Sequence, residues 1–355
     1  MKYLFLFFPF FLQSQNLFEL YEIGKFPAVL NETSGLETKD SNSVWTHTDS
    51  GGEAALYKTN TSGTLLKTVK LINASNLDFE DICFAQDGKV FIGDFGNNLN
   101  DRKNLRIFIT SISELESKDS VMVDTISFSY PDQSLFPPAA PDRNFDCEAF
   151  FHFNNFLYLF TKHRGNYNYT KCYRMPALKG LQTPVLLDSF ATNTWITAAD
   201  ISPNGKRMAL LSETKIQLFE NFGADSFFHG KYTSIPLSLT QKEGIVFVTN
   251  EMLYLSDEAS ILPGGKLYKM YVDRKVDTSK MDTIKVSINH AILIEQTISI
   301  NDISITWENE KIDIKEPFTI SLYDTMGRLF FNGKDKTVFN LPDLKRGTYF
   351  LYLKQ

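Results

Sequence analysis

Two short apolar runs joined by a tight-turn sequence recur five times along this chain, and this recurrence constrains the fold more than any other feature. The clearest copy reads Phe79-Glu80-Asp81-Ile82-Cys83-Phe84, then Asp87-Gly88, then Val90-Phe91-Ile92-Gly93-Asp94. Apolar runs paired across Asp-Gly are a strong hairpin signal. The other copies lead from Ser34-Gly35-Leu36 to residues 44–49, from Asp146-Cys147-Glu148-Ala149-Phe150 to 157–162, from Ala199-Asp200-Ile201 to 208–212, and from Glu243-Gly244-Ile245 to 253–257. Anchors at Leu36, Ile82, Ala149, Ile201 and Ile245 stand 46, 67, 52 and 44 residues apart. A third apolar pair follows in each copy: Leu56-Tyr57, Ile107-Phe108, Cys172-Tyr173, Leu218-Phe219 and Leu267-Tyr268. A multi-strand repeat of about 45 residues without a helix is the pattern of a β-propeller. The competing reading is a β-sandwich with chance similarity between its hairpins.

The expected fold is all-β: a five- or six-bladed β-propeller over residues 16–276, a linker over 277–289, and a small Ig-like β-sandwich over 290–355. Five copies are visible, and a degenerate sixth stays open. A propeller ring must close, because an open ring leaves two exposed sheet edges. Either Leu20-Tyr21-Glu22-Ile23 or Ala28-Val29-Leu30 is expected to supply the outer strand of the last blade. Residues 130–141 carry four prolines, which exclude a central strand and make this segment a candidate lid.

Lys2 precedes a continuous apolar run over residues 3–12, followed by Gln13-Ser14-Gln15. That run is too short to span a bilayer and reads as a signal peptide over residues 1–15. No later run is long enough for a transmembrane helix. A net charge of −6 and the lack of a Lys/Arg run argue against nucleic acid and anionic membranes as partners. The three cysteines, Cys83, Cys147 and Cys172, are too few for a disulfide framework. A Cys147–Cys172 bridge stays open. The chain is read as a monomer.

Two resemblances add to this reading. Ile320-Ser321-Leu322-Tyr323-Asp324-Thr325-Met326-Gly327-Arg328-Leu329, with Leu341-Pro342-Asp343-Leu344-Lys345-Arg346-Gly347-Thr348-Tyr349 later, resembles the C-terminal sorting domain of the type IX secretion system of Bacteroidetes. The chain departs from that pattern in lacking Pro-Asn-Pro before the first strand and a basic tail after the last. The resemblance implies export to the medium or the outer cell surface, with the outer-membrane secretion machinery as a partner. Glu32-Thr33-Ser34-Gly35-Leu36, Trp45-Thr46-His47-Thr48-Asp49, Phe79-Glu80-Asp81-Ile82 and Ile92-Gly93-Asp94-Phe95-Gly96-Asn97-Asn98 resemble SdiA-regulated and phytase-like propellers. That likeness implies a propeller, often a calcium-binding one, without fixing a reaction.

The repeat also gathers polar groups. In a hairpin, the start of the first strand lies beside the end of the second. Glu80 and Asp81 are therefore expected near Asp94, Glu148 near Lys162, Asp200 near Ser212 and Glu213, and Glu243 near Asp257 and Glu258. Glu32 and Ser34 are expected near His47 and Asp49. With all copies oriented alike, these groups meet at one mouth of the channel, with Arg164 and Arg102 at hand. Clustered carboxylates destabilise one another unless a cation, Lys or Arg is present. Glu80, Asp81, Glu148, Asp200 and Glu243 are the candidate metal ligands, and calcium is the ion that oxygen donors suit. Ligand candidates add His47, Asp49, Asp94, Lys162, Arg164 and Asp257. Strand-end carboxylates also cap turns, so a purely structural role stays open. No Gly-x-Ser-x-Gly, His-Glu-x-x-His or P-loop sequence occurs. The leading function is binding of a cation or small polar ligand; the alternative is calcium-dependent hydrolysis of a phosphoester or lactone.

Overall fold

The computed structural model describes residues 18–259 and 264–272, and beyond them the backbone of eight strands between residues 285 and 354. The expected signal peptide lies outside the described residues. The chain divides into two compact units, one of them Leu17–Arg274.

That unit is a five-bladed β-propeller. Blade 1 runs outward through Thr33–Glu37, Ser43–Thr48, Ala55–Asn60 and Leu65–Leu71. Blade 2 has Phe79–Phe84, Lys89–Asp94, Leu105–Ser111 and Asp124–Phe128. Blade 3 has Asp146–Phe153, Phe156–Lys162, Tyr169–Pro176 and Val185–Ala191. Blade 4 has Ala198–Ile201, Arg207–Leu211, Lys215–Glu220 and Lys231–Pro236. Blade 5 takes Lys242–Phe247, Met252–Asp257 and Lys266–Tyr271 from the end of the repeat region, and its outer strand, Tyr21–Lys25, from the beginning. The ring is closed by the first of the two segments foreseen for that duty; Ala28–Leu30 forms a 3-10 turn instead.

Two short strands cross blade boundaries. Ser120–Val121 pairs parallel to the outer strand of blade 1, and Gly180–Gln182 pairs parallel to that of blade 2. One α-helix, Ile112–Ser117, departs from the helix-free expectation; the Ser111 hydroxyl caps it by accepting from the Glu114 amide at 3.3 Å. No helix among the described residues is long and apolar enough to cross a membrane.

The hydrophobic core is five seams. Trp45, Leu56 and Val69 of blade 1 meet Ile82, Ile92 and Phe108 of blade 2. Phe91 and Ile107 meet Phe150, Leu159 and Tyr173 across the next seam. Phe151 and Phe160 meet Met208 and Phe219; Leu211 and Leu218 meet Ile245 and Leu255; Val246 and Tyr254 meet Leu36 and Val44. Alternation along each strand serves both faces of its blade, so every blade is buried from two sides. Cys83, Cys147 and Cys172 are free and buried within these seams, so the Cys147–Cys172 bridge does not form.

The proline-rich segment is tied to its surroundings near both ends. Gln133 donates to the Asn100 carbonyl at 2.8 Å, and the Pro141 carbonyl meets the His163 ring at 3.0 Å.

In the remaining unit, Leu329–Gly333, Thr319–Asp324 and Tyr349–Lys354 form one antiparallel sheet. Lys285–Ile288, Ile303–Trp307 and Glu310–Ile312 form another.

Candidate functional site

The inner strands of three blades carry a β-bulge at the same place. Phe79 pairs with Asp94 and Asp81 with Gly93, leaving Glu80 as the extra residue. Glu148 is skipped between Cys147 and Ala149, and Glu243 between Lys242 and Gly244. A bulge frees one residue from the ladder and redirects its side chain. Three glutamates are thereby released from the regular alternation at one end of the channel. Blade 1 is irregular at the same level: Ser34 pairs with His47 but Glu37 with Trp45. Gly35 has φ +65° there, and a Cβ on it would lie 2.9 Å from the Asp81 Cα. Its bare backbone lets the inner strands of blades 1 and 2 close together. Blade 4 has no register shift over Ala198–Ile201, and Thr197, whose hydroxyl donates to the Lys242 carbonyl at 2.6 Å, stands at the level where the others have glutamate.

Two groups of carboxylates meet at this mouth. Asp49, Asp78 and Glu80 each bring an oxygen within 4.8 Å of the others, and so do Glu80, Asp146 and Glu148. Glu80 belongs to both. The second group is charge-balanced from within the protein. Lys162 Nζ donates to Glu148 Oε2 at 2.9 Å, and Arg164 reaches Asp146 Oδ2 at 2.5 Å and Glu148 Oε1 at 2.7 Å. Burial opposes ionisation of Glu148, but Lys162 and Arg164 hold its carboxyl below the usual range. Trp195 stacks over both cations, at 5.6 Å from Lys162 and 5.0 Å from Arg164.

The first group has no direct ion pair of its own, and Lys162 and Arg102 act on Asp49 and Asp78 only from farther away. No ion pair among the described residues ends on Asp49, Asp78 or Glu80. Burial, followed by the charge of Asp49, pushes Asp78 up to about 6. Burial, with Glu148 and Asp49 next, pushes Glu80 well above the carboxylate range. Glu258, buried and facing Asp49 and Glu32, is pushed up to about 7, and Glu243 is raised by burial. The backbone of Gly96 forms one wall: a Cβ there would lie 2.1 Å from Glu80 Oε1 and 2.4 Å from Asp78 Oδ2.

The remaining predicted residues sit elsewhere or face away. Asp81 and Asp200 are inner-strand staples between blades. The Phe150 amide of blade 3 donates to Asp81 Oδ2 at 3.0 Å, and the Phe247 amide of blade 5 to Asp200 Oδ2 at 2.6 Å. Asp200 pairs with Ala209 rather than lying by Ser212, because it stands two residues before Ser202 at the turn, at the level of Cys83 in blade 2 and not of Glu80. Asp94 is taken by Arg102 at 3.1 Å and Arg106 at 2.6 Å. Asp257 accepts from the Lys266 amide at 2.9 Å and the Tyr268 hydroxyl at 2.8 Å inside its own blade. His47 is fully buried edge-on to Phe79, and burial lowers its pKa to about 4, so it is neutral. The residues that sequence reasoning left out of the site, Asp78 and Asp146, carry a legible signal. Each stands two places before a bulge glutamate, in Asp78-Phe79-Glu80 and Asp146-Cys147-Glu148.

No protein-family model matches the chain, and no curated protein matches it. Solved structures are similar to it only at low identity and low TM-score. Hydrazine synthase of Kuenenia stuttgartiensis is 8% identical at a TM-score of 0.38, over 66% of this chain and 70% of that one. A functionally unknown protein of Desulfotomaculum acetoxidans is 15% identical at 0.33, over 63% and 65%. PorZ, a bacterial surface component of the type IX secretion system of Porphyromonas gingivalis, is 11% identical at 0.34, over 90% of this chain and 42% of its own.

Proposed function

We propose that the protein binds a divalent cation, calcium by the nature of its donors, at the acidic mouth, and through it a small polar ligand. Glu80 carries this reading. It is 5% exposed, no hydrogen bond among the described residues ends on its carboxylate, and Asp49 and Asp78 stand beside it at a spacing one ion can satisfy. A buried carboxylate without a donor, facing like charges, is costly unless a cation is present. The donors are all oxygen, which suits calcium and does not suit zinc. Asp49, Asp78 and Glu80 would hold the ion, while Lys162 and Arg164 keep Glu148 and Asp146 out of competition for it. When bound, calcium supplies neutralisation and a Lewis-acid contact for a ligand oxygen.

A melting curve tests the reading. An ion that binds only the folded state stabilises it by about 2.7 kcal/mol at a hundredfold excess over Kd. Calcium is expected to raise Tm, and Glu80→Gln with Asp78→Asn to remove that response. An unchanged Tm in millimolar calcium overturns the proposal.

One observation favours a hydrolase as the second reading. Glu258 lies at the same mouth with a pKa of about 7, which suits a general base at neutral pH. Turnover of phosphoester or lactone substrates that is lost on chelation would support it. Secretion or surface display by a type IX-like route rests on residues 2–12 and on the Tyr323-Asp324, Gly327-Arg328 and Gly347-Thr348-Tyr349 marks. Deleting residues 290–355 in the native host is expected to abolish release; unchanged release refutes that route.

A further inference from the structure

The channel has a second end, on the side of the turns that join the inner strands to their neighbours. There all five blades surround a cavity of about 560 Å³. Phe84, Phe153 and Phe247 line its walls, as does His152, which stacks on Phe91 at 5.6 Å. Glu37 and Asp200 also line it, 7% and 9% exposed. Backbone amides position both carboxylates. Phe84 and Thr38 each donate to Glu37 at 2.8 Å, and Phe247 donates to Asp200 at 2.6 Å. These amides fix the oxygens without cancelling their charge. The basic residues of the lining are Lys39 and Lys89, and Lys89 is paired with Asp87 at 2.5 Å. No ion pair among the described residues reaches Glu37 or Asp200. Burial, and then the charge of Asp200, raises the Glu37 carboxyl well above the usual range.

We infer that this cavity binds an organic cation, an alkylammonium or alkylguanidinium group, with its charge at Glu37 and Asp200 and its hydrocarbon chain along Phe84, Phe153 and Phe247. The volume suits a small molecule, since such sites span roughly 300–1,000 Å³. Two buried carboxylates face one ligand space, and a bound cation offsets the burial that disfavours their ionised form. The spacing selects against a bare metal ion. Among the described residues, Glu37, Asp81 and Asp200 do not bring three oxygens within 4.8 Å of one another, as the carboxylates of the opposite mouth do. A larger cation with attached hydrocarbon meets both the acids and the aromatic walls. This site is independent of the cation site at the other mouth.

The probe is n-hexylammonium, with 1-hexanol as its uncharged match, titrated calorimetrically into the full chain. Saturable binding of hexylammonium is expected, with hexanol weaker by about tenfold or more. Glu37→Gln with Asp200→Asn keeps an acceptor oxygen for each amide and is expected to weaken hexylammonium binding by a similar factor, while Glu80→Gln leaves it unchanged. Gln86→Trp, at an exposed turn of the lining, is expected to obstruct the cavity without lowering Tm, and so tests the site without touching the acids. Lack of saturable binding, equal affinity for hexanol, binding retained in both the acid and the Gln86 variants, or loss on Glu80→Gln each overturns the inference.

Discussion

Glu80 and Asp81 are neighbours in the chain, and the bulge at Glu80 separates their environments. Asp81 stays in the ladder opposite Gly93, with both oxygens used: Ile82 donates to Oδ1 at 2.9 Å and Phe150 to Oδ2 at 3.0 Å. Glu80 leaves the ladder and keeps both oxygens free of donors. Substitution separates the two roles. Asp81→Ala strands the Phe150 amide in a dry seam and is expected to cost about 1–3 kcal/mol in denaturant unfolding, with the calcium response of Tm retained. Asp81→Asn keeps an acceptor for Phe150 and, because burial favours the neutral carboxyl, is expected to lie close to the parent. If Asp81→Ala removes the calcium response without changing stability, the two residues have been assigned the wrong way round.

At the scale of the strand, the hairpins and the third strands are legible in the sequence, because buried strands announce themselves by apolar alternation and turns by Asp-Gly or Asn-Gly, while the closing strand is narrowed only to two segments. The bulges are not legible that way. An inserted residue leaves composition and turn unchanged and shifts only the register, so anchoring blade 3 on Ala149 rather than Phe150 hid the match of Glu80 with Glu148, and anchoring blade 4 on Ile201 rather than Ala199 hid the level of Asp200, nearer the turn. Outer strands are equally quiet. Val185–Ala191 is half exposed along its length, so no apolar stripe marks it. The strand borrowed from the start of the chain makes a prediction of its own. Removing residues 18–25 uncovers the Lys266–Tyr271 edge and the seam beneath it. The shortened protein is expected to melt lower and to self-associate, as light scattering would report; an unchanged, monodisperse product counts against closure by this strand.

The molecule as a whole gathers its acids at one mouth, and that sets how its stability varies with pH. Asp78 and Glu258 ordinarily titrate near 3.8 and 4.5, and the fold raises them to about 6 and 7. A raised folded pKa means that the stabilising contribution is complete below the unfolded value and is lost as pH climbs through the folded one. In a chelator, Tm is expected to fall between pH 5 and pH 8. Calcium, which favours the ionised carboxylates, is expected to flatten that fall and to stabilise most at pH 8; parallel profiles with and without calcium would refute the link. The same ring has a consequence in time. Lys266 pairs with Glu22 across 244 residues of chain, in the last sheet to be completed. Closing a loop that long costs about 5 kcal/mol of chain entropy before any contact rewards it. Tyr21–Lys25 therefore finds its partner only once Lys266–Tyr271 has been made, and during synthesis it waits unpaired beside the preceding blades. Until the final blade is complete the ring stands open at one seam, and its closure is the step on which the other four blades wait for their last neighbour.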